Sequence, residues 1–165
     1  MDTYSRNSKI SSIRSMLSNS KFNQTHKAEL HIFCDASTKA YGAVAYWRFS
    51  FPGNKYHISL IIAKNKVVPN KGNTTIPRLE LQAALIGTRL AETIEKEHEF
   101  EVTRRVFWSD SEIVLKWINK DPVEFKIFVA NRLSEIREKT NVSEWRWINS
   151  ENNRPMMLQD MYLQR

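Results

Sequence analysis

The sequence predicts an α/β domain in which a mixed sheet, laid down in the order βββαβααβ, is covered by helices. Three observations lead there. Apolar runs of strand length follow one another through residue 63 with only short connections between them, which implies an antiparallel meander. After residue 75 the apolar period lengthens to that of a helix. Further downstream, strand-like and helix-like segments alternate, and strands separated by helices pair in parallel and need cover.

Residues 1–28 are polar and basic, with only a faint amphipathic pattern at Ile10, Ile13, Met16 and Leu17, and read as an appendage. Leu30–Cys34 reads as a buried strand that delivers Asp35 at its C-terminal end. Ala43–Phe49 and His57–Ala63 follow as strands, the second of them after a Pro52-Gly53-Asn54 turn. Leu79, Ala83, Ile86, Leu90 and Ile94 then recur at helical spacing; with Thr75 as N-cap and Pro77 in the first turn, the longest helix is expected over 76–98. Arg105–Trp108 reads as a short strand, and Ser109-Asp110-Ser111-Glu112 has the form of a capping box opening a helix that ends near Asn119. Asp121-Pro122 breaks that helix, another is expected over Val123–Glu138, and Glu144–Ile148 alternates as a last strand.

Size and composition bound the rest. A chain of 165 residues, 41% hydrophobic, suffices for one domain with a real core and hardly for two. The single cysteine, Cys34, excludes an internal disulfide and a CxxC zinc ribbon. No apolar stretch is long enough to span a bilayer, so no membrane partner is expected. No leader-like segment opens the chain, which makes an intracellular location, cytoplasmic or nuclear, the expectation. The net charge of +7 favours a polyanionic partner such as nucleic acid. That charge is uneven: residues 1–28 carry five basic side chains against Asp2 alone, and Lys64, Lys66, Lys71 and Arg78 occupy residues 64–78 without any acid. These segments are the natural phosphate-facing candidates, although composition fits a solvated tail and loop equally well.

Three acids lie where the predicted skeleton would bring them together. Asp35 and Asp110 fall at the carboxyl ends of strands, where open α/β sheets gather function, and Glu80 sits one turn into the long helix. Grouped carboxylates repel one another unless a hard cation neutralises them. Two Mg²⁺ ions about 3.5–4 Å apart can activate a water and stabilise a leaving oxygen in phosphodiester cleavage. Each acid also has a plain structural explanation: Asp110 as a helix cap, Glu80 as a partner of the helix dipole, Asp35 as a turn residue.

The motifs around these acids tip the balance. Ile32-Phe33-Cys34-Asp35-Ala36-Ser37 with Tyr41-Gly42-Ala43, Ile76-Pro77-Arg78-Leu79-Glu80-Leu81-Gln82-Ala83-Ala84, and Trp108-Ser109-Asp110-Ser111 with Val114-Leu115-Lys116-Trp117-Ile118 resemble the ribonuclease H domain of retroelement polyproteins. The likeness points to the Pao/BEL group of retrotransposons, extends to Phe128-Val129-Ala130-Asn131-Arg132 and Trp145-Arg146-Trp147, and covers residues 29–153. It implies a ribonuclease H-like fold, a mixed five-stranded sheet with helices on both faces. It also implies two Mg²⁺ (or Mn²⁺) ions held by Asp35, Glu80 and Asp110, and endonucleolytic cleavage of RNA in RNA–DNA hybrids. Hybrid recognition would rest on groove shape, 2′-hydroxyls and phosphates. Ser37, Arg78, Asn119 and Asn131 are the candidate substrate contacts, with local turn and capping bonds as the alternative for the polar ones. A reverse transcriptase region of the same polyprotein is the implied partner in cis.

The pattern departs from the family at its end. A fourth carboxylate normally follows the last strand in a stretch similar to Asn-Pro-Ala-Asp-Asp-Ala-Thr-Arg, whereas this chain reads Asn152-Asn153-Arg154-Pro155-Met156-Met157-Leu158-Gln159-Asp160. Residues 154–165 therefore read as an atypical tail, and a frameshift near Asn153 accounts for it. The Met156-Met157 codons contain an aspartate codon in another frame. A site short of one ligand predicts weak or absent cleavage, and the alternative function is a non-catalytic nucleic-acid-binding remnant of the same fold. The five tryptophans read mostly as packing residues, Cys34 as a small buried apolar group, and His31 and His57 as residues without a metal-ligand spacing.

Overall fold

The computed structural model describes residues 27–69, 74–98 and 101–149. Its strands are β1 (Lys27–Ala36), β2 (Ala40–Phe51), β3 (Lys55–Val67), β4 (Val102–Ser109) and β5 (Trp145–Trp147). Its helices are α1 (Ile76–Glu97), α2 (Glu112–Ile118) and α3 (Ile127–Lys139), with 3₁₀ turns at Pro122–Glu124 and Val142–Glu144. The sheet runs β3-β2-β1-β4-β5, with β3, β2 and β1 antiparallel and β1, β4 and β5 parallel. The predicted element order and the mixed five-stranded sheet are both present. The strand β1 starts at Lys27, two residues inside the segment read as an appendage; residues 1–26 and the atypical tail lie outside the described residues.

The sheet has two unlike faces. On one, Leu30, Ile32 and Cys34 of β1 join Ala43, Ala45, Trp47 and Phe49 of β2 and Phe107 of β4 in a core closed by residues of α1, α2 and α3. On the other, Phe33, Val106, Trp108 and Ile148 form a smaller buried cluster with Val44, Tyr46 and Ile58, and no helical residue belongs to it. All the described helices thus pack on one face, and no helix covering the second face is found among the described residues. Gly87 sets the distance of α1 from the sheet, because a Cβ there would collide with the Cys34 sulfur and crowd Ile32. The Arg89–Glu135 ion pair, with both contacts at 2.7 Å, and Lys139–Glu92 at 2.6 Å tie α3 to α1. No described helix is long and apolar enough to cross a membrane.

Local differences from the sequence reading have local causes. The strands extend beyond their apolar centres because polar residues at the ends, Lys55 and Lys64 among them, still pair across the ladder. The β2–β3 hairpin turns at Gly53 (φ +80°) and Asn54 (φ +56°), the residue types that tolerate left-handed backbone. Thr75 occupies the N-cap position of α1 without a side-chain bond, and Pro77 sits in the first turn as expected. The helix expected from Val123 begins only at Ile127, since Asp121 caps a separate 3₁₀ turn at Pro122–Glu124 and Phe125 is extended.

Candidate functional site

Parallel pairing of β1 with β4 places Cys34 opposite Ser109, so the next step of the register sets Asp35 beside Asp110 at the carboxyl edge of the sheet. The electrostatics agree with this placement. Asp35 is accessible, yet partial burial of its carboxyl group raises its pKa, the charge of Asp110 raises it further, and one hydrogen bond from the Ala36 backbone opposes both. The fully buried Cys34 thiol is pushed up by its burial and then by the same two carboxylates, so it stays protonated as an apolar core group. Among the described residues no lysine or arginine pairs with Asp35, Glu80 or Asp110.

Glu80 reaches this corner from α1. Its carboxylate accepts a hydrogen bond of 2.6 Å from the Ser111 hydroxyl, next in sequence to Asp110. The N-cap of α2 is Ser111, whose oxygen accepts from the Val114 N–H at 3.2 Å, so Asp110 is not spent on capping and the expected capping box does not form there. No acid lies in the first turn of α1, and Glu80 is held by Ser111 across the helix gap. The turn after β1 is built by Ser37, which accepts from the Lys39 and Ala40 N–H groups and pairs with Ala40 through its backbone, and Asp35 takes no part in it.

The other predicted contacts divide. Ser37 is occupied in that turn, and Asn119 donates to the Leu115 carbonyl at the end of α2, the local bonds that compete with a substrate role. Arg78 stacks over the Phe128 ring at 5.0 Å, and Asn131 lines a cleft between α1 and α3. Asp160 and Lys71 lie outside the described residues. Two site neighbours escaped the sequence reading. One is Ser111, which joins Glu80 to the Asp110 loop. The other is Trp147: it pairs with Ser109 at the end of β5 and is 52% exposed, while Trp145 on the same strand is buried. Alternation would place both on one face, but a three-residue edge strand leaves its last side chain beyond the helical cover. The remaining tryptophans behave as expected, with Trp47 and Trp108 also buried and Trp117 packed against the core.

A family model described as the Pao retrotransposon-like RNaseH-like domain matches residues 2–111, two thirds of the chain and all three acids. The chain belongs to this family. The match begins in the basic N-terminal segment and stops just after Asp110, so the likenesses around Phe128 and Trp145 lie beyond it. Solved structures similar to the Pao-family domain include ribonuclease H1 of the archaeon Halobacterium salinarum, 12% identical with a TM-score of 0.43 over 77% of this chain and 89% of that one. LC11-RNase H1 in complex with an RNA/DNA hybrid is 12% identical, with a TM-score of 0.45 over 78% and 89%. The N-terminal RNase H domain of a Mycobacterium tuberculosis protein, fused to maltose binding protein, is 10% identical, with a TM-score of 0.44 over 77% and 90%. No curated protein matched the chain.

The acids of the Pao-family domain suit a divalent cation by chemistry. Asp35 and Asp110 are hard oxygen donors placed side by side without a cationic partner among the described residues, and their mutual repulsion is what a bound cation would relieve. As they stand, no three His, Cys, Asp or Glu side chains among the described residues are gathered into a metal-holding group. Two carboxylates form the pair, and the third is turned toward Ser111.

Proposed function

We propose that this domain binds RNA–DNA hybrid as part of a retroelement polyprotein and cleaves the RNA strand weakly or not at all, through a metal centre built on Asp35, Asp110 and Glu80. One observation carries the reading: Asp35 and Asp110 stand at adjacent parallel strand ends with no cationic partner among the described residues, where partial burial first and the Asp110 charge second raise the Asp35 pKa. Asp35 and Asp110 would contribute the first oxygen ligands, and Glu80 would join them while sharing or leaving the Ser111 hydroxyl. Divalent ions held there would supply an activated water and shield charge on the leaving oxygen. Ser111 is a positioning residue for Glu80, since its hydroxyl fixes the carboxylate while its other contact fixes α2. The exposed Trp147 offers a flat apolar surface to a sugar or base next to the acids.

The test is cleavage of a hybrid labelled on its RNA strand, in Mg²⁺ and then in Mn²⁺. Slow cutting that disappears in Asp110→Asn is the expected result. Vigorous turnover that survives Asp110→Asn would overturn the site. A second reading, a non-catalytic hybrid-binding remnant, is favoured by Asn152-Asn153-Arg154-Pro155 standing where the family carries its last carboxylate. Hybrid binding with no cutting in either metal selects it.

A further inference from the structure

The strand β3 stands at the end of the sheet order, and no described strand pairs with its outer side, so every second residue turns its N–H and C=O away from the ladder. A bulge divides it. Ala45 pairs with Ile62 and Tyr46 with Leu60, which leaves Ile61 as the extra residue and 62–67 as an unbroken run beyond it. Residues 63–67 are all exposed although each is paired with a residue of β2, and none of them belongs to either buried cluster of the sheet. The chemistry of this run is one-sided. Lys64 and Lys66 pair with Ala43 and Tyr41, which belong to the helix-covered face, so both ammonium groups project on that face. Ala63, Asn65 and Val67, the last of them 80% exposed, project on the other. No acid occurs in residues 55–67, and neither Lys64 nor Lys66 has a carboxylate partner among the described residues.

These charges select what the edge can take. A second copy of the run, paired antiparallel about Asn65, would lay Lys64 directly against Lys66, and like charges in direct register oppose pairing. A strand of opposite charge meets no such barrier. Nucleic acid fits the edge less well: its phosphates would engage the lysines and the N–H groups but would face the outward carbonyl oxygens, whereas a peptide strand satisfies donors and acceptors together. We propose that residues 62–67 dock an extended acidic segment of a partner protein by strand addition, with alternate carboxylates beside Lys64 and Lys66 and apolar side chains beside Ala63, Asn65 and Val67. This docking edge does not depend on the nuclease reading of the acid corner.

The probe is a fluorescein-labelled peptide that alternates glutamate with valine, titrated by anisotropy into the full chain. Its fully N-methylated counterpart keeps the charges and loses the main-chain donors, so it should bind more weakly by about tenfold or more. Combining Lys64→Gln with Lys66→Gln should weaken the unmodified peptide roughly fivefold, while Lys55→Gln, across the bulge at the far end of β3, should leave it unchanged. Matching melting temperatures show that the variants fold. Amide hydrogen exchange should slow within residues 62–67 when the unmodified peptide is added. Equal affinity of the two peptides would reduce the edge to a patch of charge and overturn strand addition. No binding of the glutamate–valine peptide, or equal binding of a lysine–valine peptide, would overturn the acidic partner. If the lysine variants weaken binding of an RNA–DNA hybrid and leave the peptide untouched, the two lysines serve nucleic acid and the proposal falls.

Discussion

Glu29 and Asp35 share strand β1 and the same side of its pleat, about 20 Å apart at the usual rise per residue, yet the fold treats their charges in opposite ways. Glu29 is surrounded by partners. It faces Arg48 on β2 and Arg104 on β4 in direct register, and Arg48 donates to it at 2.5 Å. Trp108 donates its indole N–H to His31 Nδ1 at 3.1 Å, so the neutral ring carries its proton on Nε2 and points it at Glu29, at 3.3 Å. The His31 hydrogen bond, with the Arg48 contact behind it and burial opposing both, lowers the Glu29 pKa to about 2. Asp35 has a like charge for a neighbour and a pKa moved upward. A satisfied carboxylate holds the second sheet face together. An unsatisfied one is a stability cost maintained at the place where a ligand would remove it.

The largest expected effect therefore comes from breaking the satisfied end. Glu29→Ala leaves Arg48, which is only 6% exposed, as a buried charge without its acid. Removing one partner of such a pair costs about 3–5 kcal/mol. Urea unfolding followed by tryptophan fluorescence should show a loss of about 3 kcal/mol or more. A loss under about 1 kcal/mol would mean that Arg48 is served by its stacking on Tyr56 at 4.0 Å and that the network is not structural.

This contrast also explains what the sequence could reveal. The apolar runs that place Asp35 and Asp110 at strand ends are local information, as is the helical period that places Glu80, and the flanking motifs are short enough to recognise. The role of Glu29 depends on register with Arg48 and Arg104, residues remote in sequence, and nothing near Glu29 announces them. The role of His31 is hidden in the sequence for the same reason: its partner Trp108 is 77 residues away. Ser111, the observed N-cap, is hidden in the sequence by a capping-box pattern that pairs Ser109 with Glu112. The helix α3 starts at Ile127 rather than at Val123 because Asp121 and Pro122 favour an isolated 3₁₀ turn, in which Val123 is 84% exposed instead of lying on an amphipathic face. The helical cover expected on the second face is not found among the described residues.

A smaller effect should come from filling the unsatisfied end. Ligand binding to the folded state adds RT ln(1 + [L]/Kd), about 1.4 kcal/mol at ten times Kd. Millimolar Mg²⁺ or Mn²⁺ should raise the melting temperature of the wild type and of Lys55→Gln. It should leave Asp35→Asn and Asp110→Asn unmoved relative to EDTA. An equal rise in all four proteins would assign the ion to somewhere other than the acid corner.

The smallest effect sharpens the comparison through pH. For Glu29 the folded pKa is depressed, so its contribution is complete above the ordinary value of 4.5 and is lost as pH falls toward about 2. For His31, kept neutral chiefly by burial, the unfolded chain takes up a proton that the folded chain refuses as pH drops below 6.5, so stability again falls with acid. Asp35 runs the other way. Its folded pKa lies above 3.8, the native state binds the proton first, and stability declines as pH rises through the window above that value. Asp35→Asn removes only this last contribution. Without divalent metal it should match the wild type near pH 4 and exceed it near pH 7, by less than about 1 kcal/mol because water screens an accessible carboxylate. Glu29→Ala should show the reverse trend, its deficit growing from low pH to neutral. If Asp35→Asn is instead less stable than wild type at neutral pH in EDTA, the Asp35 carboxylate is making favourable bonds of its own, and the repulsion that distinguishes the two ends of β1 is not there.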